Sequence, residues 1–381
     1  MQKNKLLVMF CFIAGIAVMG CKAKSETIKI GGIFPLSGSV AVYGLEARNG
    51  IALAIEEINE AGGILGKQVE LVGEDDEGKP EITVNAFNKL TAKDKVNVII
   101  GSLTSGCTLA ITSKAQAQQV VLIAPAATSA PITDAGDYIF RACFTDSFQG
   151  TAGGNFAATE LGAKTAAVLF NSNNDYSVSL KDNFIIAFQS SGGEIVGTES
   201  YSEGDVDFKA QLTKLGTKNP EVVYLPDYYS NVALISTHLR EVGITAQLIG
   251  ADGWDGITDK VGQGNDVVGG FYSNHYSADS SDSTVKNFVK NYKSRFGTTP
   301  VSFAALAYDS VYLLKDAMEK AGTADDTSAI KDALAATNGK YLTGDLSFDE
   351  KHNPVKPAVI VEIIRGSDGN LTTAYKATIN P

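Results

Sequence analysis

The sequence predicts an α/β protein made of two doubly wound parallel-sheet lobes, joined by three crossings, with a ligand cleft between them. Three observations point there. Short β-branched runs alternate with segments whose apolar residues recur at helical spacing, the alternation restarts after Phe148, and 381 residues exceed what one hydrophobic core usually serves. Hydrophobic residues at 44% and charged ones at 20% are enough to fill two ordinary globular cores.

The elements follow in order. Thr27 to Phe34 reads as a strand, and Ile51, Ile55 and Ile58 then mark a helix that Gly62-Gly63 stops. Val69 to Val72 is a strand, Glu81 to Ala92 a helix, Val96 to Ile100 a strand, Ser105 to Gln118 a helix and Val120 to Ala124 a strand. Strands separated by helices of that length need crossover connections, hence a parallel sheet with helices on its faces. Beyond Phe148, Thr165 to Phe170, Glu194 to Ser200, Glu221 to Leu225 and Gln247 to Gly250 repeat the strand pattern, with Ser179 to Ser190 and Asn231 to Val242 helical between them. Thr284 to Thr337 turns helical, and Val355 to Ile364 and Leu371 to Ala377 close the chain as strands. No Pro/Gly/Ser-rich linker interrupts the middle. The lobes are therefore expected to join through extended crossings near Asp146, Asn274 and Glu350, giving an N-terminal lobe of residues 27–146 plus 275–349 and a C-terminal lobe of 147–274 plus 350–381.

The first residues have a different job. Lys3 and Lys5 precede the apolar run Leu6 to Met19, which falls short of the roughly 20 residues of a membrane span and reads as a signal peptide over residues 1–20. Val18-Met19-Gly20-Cys21 resembles the lipobox of bacterial lipoproteins, which implies cleavage after Gly20, a lipid on Cys21, and residues 21–26 as a tether. The expected location is the outer side of a bacterial membrane, periplasmic or at the cell surface. A formal net charge of −11 argues against nucleic acid as a partner. Of the four cysteines, Cys11 leaves with the signal and Cys21 goes to lipid. With no CxxC motif and no adjacent His pair, Cys107 and Cys143 are expected to pair as a disulfide rather than to hold metal.

Folds of this class place their chemistry in loops at the carboxyl ends of the strands. After Val96 to Ile100, the loop Gly101 to Gly106 leads into a helix at Ser105, whose hydroxyl either caps that helix or joins its free N–H groups in holding a carboxylate. Ala124 to Ala130 is small and polar, a plain turn or a set of backbone and hydroxyl contacts for a zwitterion through Ala126 and Thr128. Asp252 follows the strand ending at Gly250, where it either makes a local turn or neutralises an ammonium. Tyr43, Tyr176, Tyr228, Tyr229 and Trp254 all fall at strand-to-helix junctions, where rings suggest a pocket lining. The signatures of nucleotide binding, of a serine-hydrolase elbow and of a zinc protease are missing, and the three histidines, His238, His275 and His352, are scattered. That pattern disfavours an enzyme such as an amidase, and no cofactor is expected. A lobe pair that senses a ligand for a separate signalling partner is the alternative to transport.

Several runs together resemble one family: Pro35-Leu36-Ser37-Gly38 with Tyr43-Gly44, Ile55 to Gly66, Asp75-Asp76, Pro125-Ala126-Ala127-Thr128 and Phe348-Asp349. They are similar to the periplasmic leucine/isoleucine/valine-binding proteins of branched-chain amino acid ABC transporters, from Ile28 to about Phe348. The resemblance implies a type I periplasmic binding fold, a monomer that delivers an amino acid to a membrane permease and ATPase complex, and a branched-chain or other aliphatic ligand. It implies that Ser105, the Ala126 backbone and Thr128 hold the head group, that Tyr43, Tyr176 and Tyr228 close over the ligand, and that Phe303 adds a further pocket ring. Asp252 meets the ammonium where leucine-binding members often carry glutamate, so the anchor is one methylene shorter. Trp254, two residues on, is expected to narrow the side-chain pocket.

Overall fold

The computed structural model describes residues 27–259 and 266–381; the expected signal peptide, Cys21 and the expected tether lie outside them. The chain first builds β1 (Ile28–Phe34), α1 (Ala41–Glu60), β2 (Val69–Asp75), α2 (Pro80–Asn88), β3 (Val98–Gly101), α3 (Ser105–Gln118), β4 (Val121–Ala124) and β5 (Ile139–Arg141). These strands form a five-stranded sheet in the order β2-β1-β3-β4-β5, parallel throughout. Every residue of β3 and β4 is buried, as central strands covered by helices on both faces must be.

A second sheet then assembles around α4 (Asp146–Asn155), β6 (Thr165–Asn171), α5 (Asp175–Ser190), β7 (Glu194–Tyr201), α6 (Lys209–Gly216), β8 (Val222–Tyr224), α7 (Tyr229–Glu241), β9 (Gln247–Gly250) and β10 (Phe271–Asn274). The chain returns to the first lobe with α8 (Ser283–Phe296), α9 (Ser302–Ala321), α10 (Thr327–Ala335) and the hairpin β11 (Asn338–Tyr341) and β12 (Gly344–Ser347). The helical stretch expected over 284–337 is thus three helices, the first two ending on left-handed glycines, Gly297 and Gly322. Helix α9 lies so close to α1 that a Cβ on Gly50 would sit 2.1 Å from the Ala304 carbonyl oxygen, so only glycine permits this approach.

Strands β13 (Ala358–Arg365) and β14 (Leu371–Ile379) complete a seven-stranded sheet in the order β14-β13-β10-β9-β8-β6-β7. This sheet is not wholly parallel. β13 runs antiparallel to β10, and β14 antiparallel to β13. The β13–β14 pairing follows from the connection Gly366 to Asn370, closed by a bond from Gly366 N to Asn370 O of 2.8 Å, because so short a turn can join only antiparallel neighbours.

The chain passes between the sheets after β5, after β10 and after β12. These passages touch one another: the His275 ring stacks on Phe144 at 3.8 Å, and Lys356 Nζ donates to the Ala142 carbonyl at 3.4 Å. The expected disulfide is not formed. Cys107 and Cys143 are separate buried thiols, one in the first turn of α3 near Asp76, the other donating to the Ala127 carbonyl at 3.3 Å. Burial pushes them up to about 11 and about 12 respectively, so neither carries the thiolate that disulfide chemistry requires.

Candidate ligand-binding site

The loops after β3 and β4 face those after β8 and β9 across a narrow cavity. Leu103, Ser105, Ala126 and Thr128 line it from the first lobe, together with Tyr43 of α1 and Phe303 of α9. Tyr176, Tyr228, Asp252 and Gly253 line it from the second. Eight of the nine residues expected to meet a ligand therefore share one cavity, although they span the chain from position 43 to 303.

On the first wall, Ser105 opens α3 but does not cap it. Thr104 is the cap residue and makes no side-chain cap bond. The Ser105 hydroxyl instead accepts from Ser129 N at 3.3 Å, tying the loop after β3 to the loop after β4. The Thr128 hydroxyl is buried and makes no hydrogen bond of ordinary geometry among the described residues, although it stands close enough to the Asp146 carboxyl to favour its charged form. A ligand atom that completes its pairing recovers part of the roughly 1–3 kcal/mol that a buried unpaired hydroxyl costs.

Arg141 stands behind this loop, fully buried, and sequence reasoning missed it. Its guanidinium donates to the carbonyls of Ala127 at 3.3 Å, Ser129 at 2.9 Å and Ala130 at 3.2 Å. One side chain thus fixes the path of residues 127–130 and puts a positive charge beneath it. An arginine closing the short apolar run Ile139-Phe140 is a weak signal, because arginine is almost never fully buried unless paired.

On the second wall, Asp252 sits in a single 3-10 turn and is 2% exposed. Its Oδ1 accepts from Tyr176 Oη at 2.8 Å and from Gln149 Nε2 at 3.0 Å, and its Oδ2 lies 2.9 Å from His275 Nε2. A carboxylate offers about four lone-pair directions, so one remains for a ligand donor. The Gln149 amide also reaches Asp146 Oδ1 at 3.1 Å, bridging two buried carboxyls. Burial lifts the Asp146 carboxyl to about 7, the neighbouring Asp252 charge pushing the same way and Arg141 opposing. For His275, burial outweighs the pull of Asp252 and holds the imidazole below its ordinary value. Gln149 and Asp146 lie three residues apart in α4, on one face of the helix; neither they nor His275 carry a motif that marks them in sequence.

The rings form one cluster across both walls. Tyr43 stacks on Phe303 with centroids 3.9 Å apart and meets Tyr228 edge-on at 5.9 Å, while Tyr228 stacks on Tyr176 at 5.1 Å. The Tyr43 hydroxyl donates to the Gly253 carbonyl, and Gly253 N donates to Tyr176 Oη at 2.8 Å. Burial pushes the phenols of Tyr43 and Tyr176 well above their ordinary range, so both are neutral donors. Tyr229, also expected at the lining, packs edge-on to Tyr43 at 5.1 Å from outside the cavity.

Trp254 does not line the cavity. The turn that brings Asp252 and Gly253 to the ligand side sends the indole back into the second lobe, where Nε1 donates to the Leu225 carbonyl at 2.9 Å and the ring covers Gly250. It therefore cannot narrow a side-chain pocket. It supports Asp252 from behind.

Chemically, the first wall offers a helix start, a buried hydroxyl and a buried guanidinium to an anion, and the second offers a carboxylate to a cation. Between them lie aromatic and aliphatic surfaces. That is the complement of a small zwitterion with an apolar side chain.

Comparison with known proteins agrees with this geometry. A model of the periplasmic binding protein family matches residues 27–370. The chain is 32% identical over 340 residues to the leucine-, isoleucine-, valine-, threonine- and alanine-binding protein of Pseudomonas aeruginosa, covering 89% of this chain and 90% of that one. A leucine-binding protein from Thermotoga maritima superposes with a TM-score of 0.86 at 34% identity, covering 93% of this chain and 99% of that one. The branched-chain amino acid transporter substrate-binding protein of Streptococcus pneumoniae, solved with isoleucine, gives a TM-score of 0.86 at 34% identity, with 93% and 100% covered.

Proposed function

Because the chain belongs to the periplasmic binding protein family, we propose that it is the extracytoplasmic substrate-binding component of an ABC importer and captures a small aliphatic amino acid between its lobes. One observation carries the reading: a buried hydroxyl on one wall, Thr128, and a buried carboxylate on the other, Asp252, line a single cavity. The ligand carboxylate is assigned to Ser105, the Ala126 backbone and Thr128. The ammonium is assigned to Asp252, which Tyr176 steadies, and the side chain to Tyr43, Leu103, Tyr228 and Phe303. The cavity is tight and is lined by Leu103 and aromatic rings, which suits leucine, isoleucine, valine, alanine or threonine, the ligands for which the similar proteins are named.

The energetics close at this scale. Three charge-assisted hydrogen bonds of about 1.5–3 kcal/mol each, with a helix end adding roughly 0.3–1, give about 5–10 kcal/mol, a range that includes the roughly 8 kcal/mol of micromolar binding. Each lobe supplies half of the contacts, so ligand binds the closed arrangement better than an open one and shifts the balance by that difference. The lobes are taken as residues 27–146 with 275–349 and 147–274 with 350–381, moving about the three crossings. The same proposal includes a monomer held to the membrane by lipid on Cys21. Calorimetric titration of the mature protein with the five amino acids tests it; a protein that binds none of them at neutral pH ends this assignment. Loss of the lipid mass in Cys21→Ser tests the anchor separately.

A further inference from the structure

Behind the ammonium end of the cavity, against Asp252, stands a titratable group that the binding scheme above does not use. His275 Nε2 lies 2.9 Å from Asp252 Oδ2, and the two side chains are only 1% and 3% exposed. The ring is clamped flat on Phe144 at 3.8 Å and 23°, and its other nitrogen, Nδ1, is buried without a partner in the protein. That asymmetry selects a tautomer. With the proton on Nε2, the imidazole donates to Asp252 and leaves a bare lone pair at Nδ1. A second proton at Nδ1 would strand a buried N–H, the costlier arrangement.

We propose that His275 is a positioning residue for ligand charge: neutral, it orients the Asp252 carboxylate and leaves the negative charge to the ligand ammonium; protonated, it takes that charge for itself. This rests on the assignment of the cavity to an amino acid.

The groups around the ring decide the direction. Asp252 and Asp255, from the segment after β9, favour the imidazolium; Lys356, from the third passage between the lobes, and burial oppose it, and burial is the largest effect. Gln149 and Asp146 of α4, Arg141 at the end of β5 and Cys143 of the first passage are further polar groups on neighbouring elements. The imidazole is therefore neutral at physiological pH and becomes charged only at a pH below the ordinary histidine value of about 6.5. An ammonium placed on the same carboxylate makes the imidazolium still less favourable, so the ligand-bound state binds fewer protons than the free state. By linkage, affinity for the zwitterion is full at neutral pH and falls as pH drops through the pKa of the free protein, approaching a tenfold loss per pH unit once below it.

The test is a titration of L-leucine and L-isoleucine between pH 7.5 and 5.0 into wild type, His275→Gln and Asp146→Asn. Gln keeps a donor toward Asp252 but cannot take up a proton. Wild type is expected to weaken as pH falls, by up to the linkage slope, and a flat wild-type profile overturns the proposal. His275→Gln should bind more weakly at pH 7.5 and lose the acid part of the slope, and Asp146→Asn should lose only the part near pH 7. A purely structural role for His275 would lower the affinity of its variant without flattening the profile. Wild-type slope retained in His275→Gln overturns the proposal, as does a slope abolished by Asp146→Asn alone. A wild type that binds neither amino acid at pH 7.5 nor any of the other three overturns the assignment of the cavity, and this inference with it. If the variant does not fold, nuclear magnetic resonance of ring-labelled histidine in the wild type decides. The chain has only three histidines, and the His275 resonance must titrate at lower pH with L-leucine bound than without; equal midpoints refute the idea.

Discussion

Replacing Asp252 by alanine probes the site most directly. In the wild type the carboxylate accepts from Tyr176 and Gln149 at 2.8 and 3.0 Å, is 2% exposed, and keeps one acceptor direction facing the cavity. Its loss removes one charge-assisted hydrogen bond, about 1.5–3 kcal/mol, and leaves the ligand ammonium buried without a counter-charge, which raises the total to about 2–5 kcal/mol. At 1.4 kcal/mol per decade, that is a loss of roughly 30-fold to several thousand-fold. Calorimetry with L-leucine at pH 7.5 reads it, and 4-methylpentanoate, which lacks the ammonium, serves as the control. Its affinity should not fall in the variant, because the first wall and the rings are untouched. The companion Asp252→Asn keeps the shape and should lose nearly as much leucine affinity, which separates charge from packing. Leucine binding within twofold of wild type in a folded Asp252→Ala protein would refute the reasoning and remove Asp252 from the site.

Other consequences can be checked with standard measurements. Thr128→Val removes a buried hydroxyl assigned to the ligand carboxylate, so amino-acid affinity should fall by about 1–2 kcal/mol by calorimetry. Arg141→Met strips donors from three loop carbonyls and should cost about 2–4 kcal/mol of folding stability by urea titration. The Asp146 carboxyl is raised to about 7 when folded, against an unfolded value near 3.8, so the folded chain holds a proton that the unfolded chain releases between them. Its contribution to stability is therefore full below that window and is lost as pH rises through it. Asp146→Asn should stabilise the protein at pH 8 relative to wild type more than at pH 5, and an equal effect at both would contradict the assignment. Cys107 and Cys143 should take up iodoacetamide only after denaturation, without any reductant; a native-state mass two units below the dithiol value would show a bridge instead.

Much of this molecule could be read in its residues because local patterns and long-range packing agree. Val98 to Gly101 and Val121 to Ala124 are continuous apolar runs because helices cover both faces of their sheet, and α3 runs from Ser105 to Gln118 as its spacing predicts. Asp252 could be proposed because it directly follows a strand. What failed depends on side-chain direction or distant partners. Trp254 shares a turn with Asp252, and residue order cannot tell which side of a single 3-10 turn faces the cavity. Gln149 meets Asp252 across 103 positions, and His275 reaches it from another passage of the chain, so no spacing links them. Cys107 and Cys143 were paired by elimination, but the one faces Asp76 and the other the Ala127 carbonyl. The antiparallel end of the second sheet had a local sign in Gly366-Ser367-Asp368-Gly369-Asn370, a turn-forming run.

The bond from the Tyr43 hydroxyl ends on a main-chain carbonyl, that of Gly253, immediately beside the side chain assigned to the ammonium. A peptide oxygen stays in place whatever residue stands at 252. The latch that joins the two halves is thus chemically independent of the group that identifies the cargo. Substitutions at 252 can retune what is held while the clasp itself persists, which makes this position a natural point for related chains to diverge in diet without relearning how to shut.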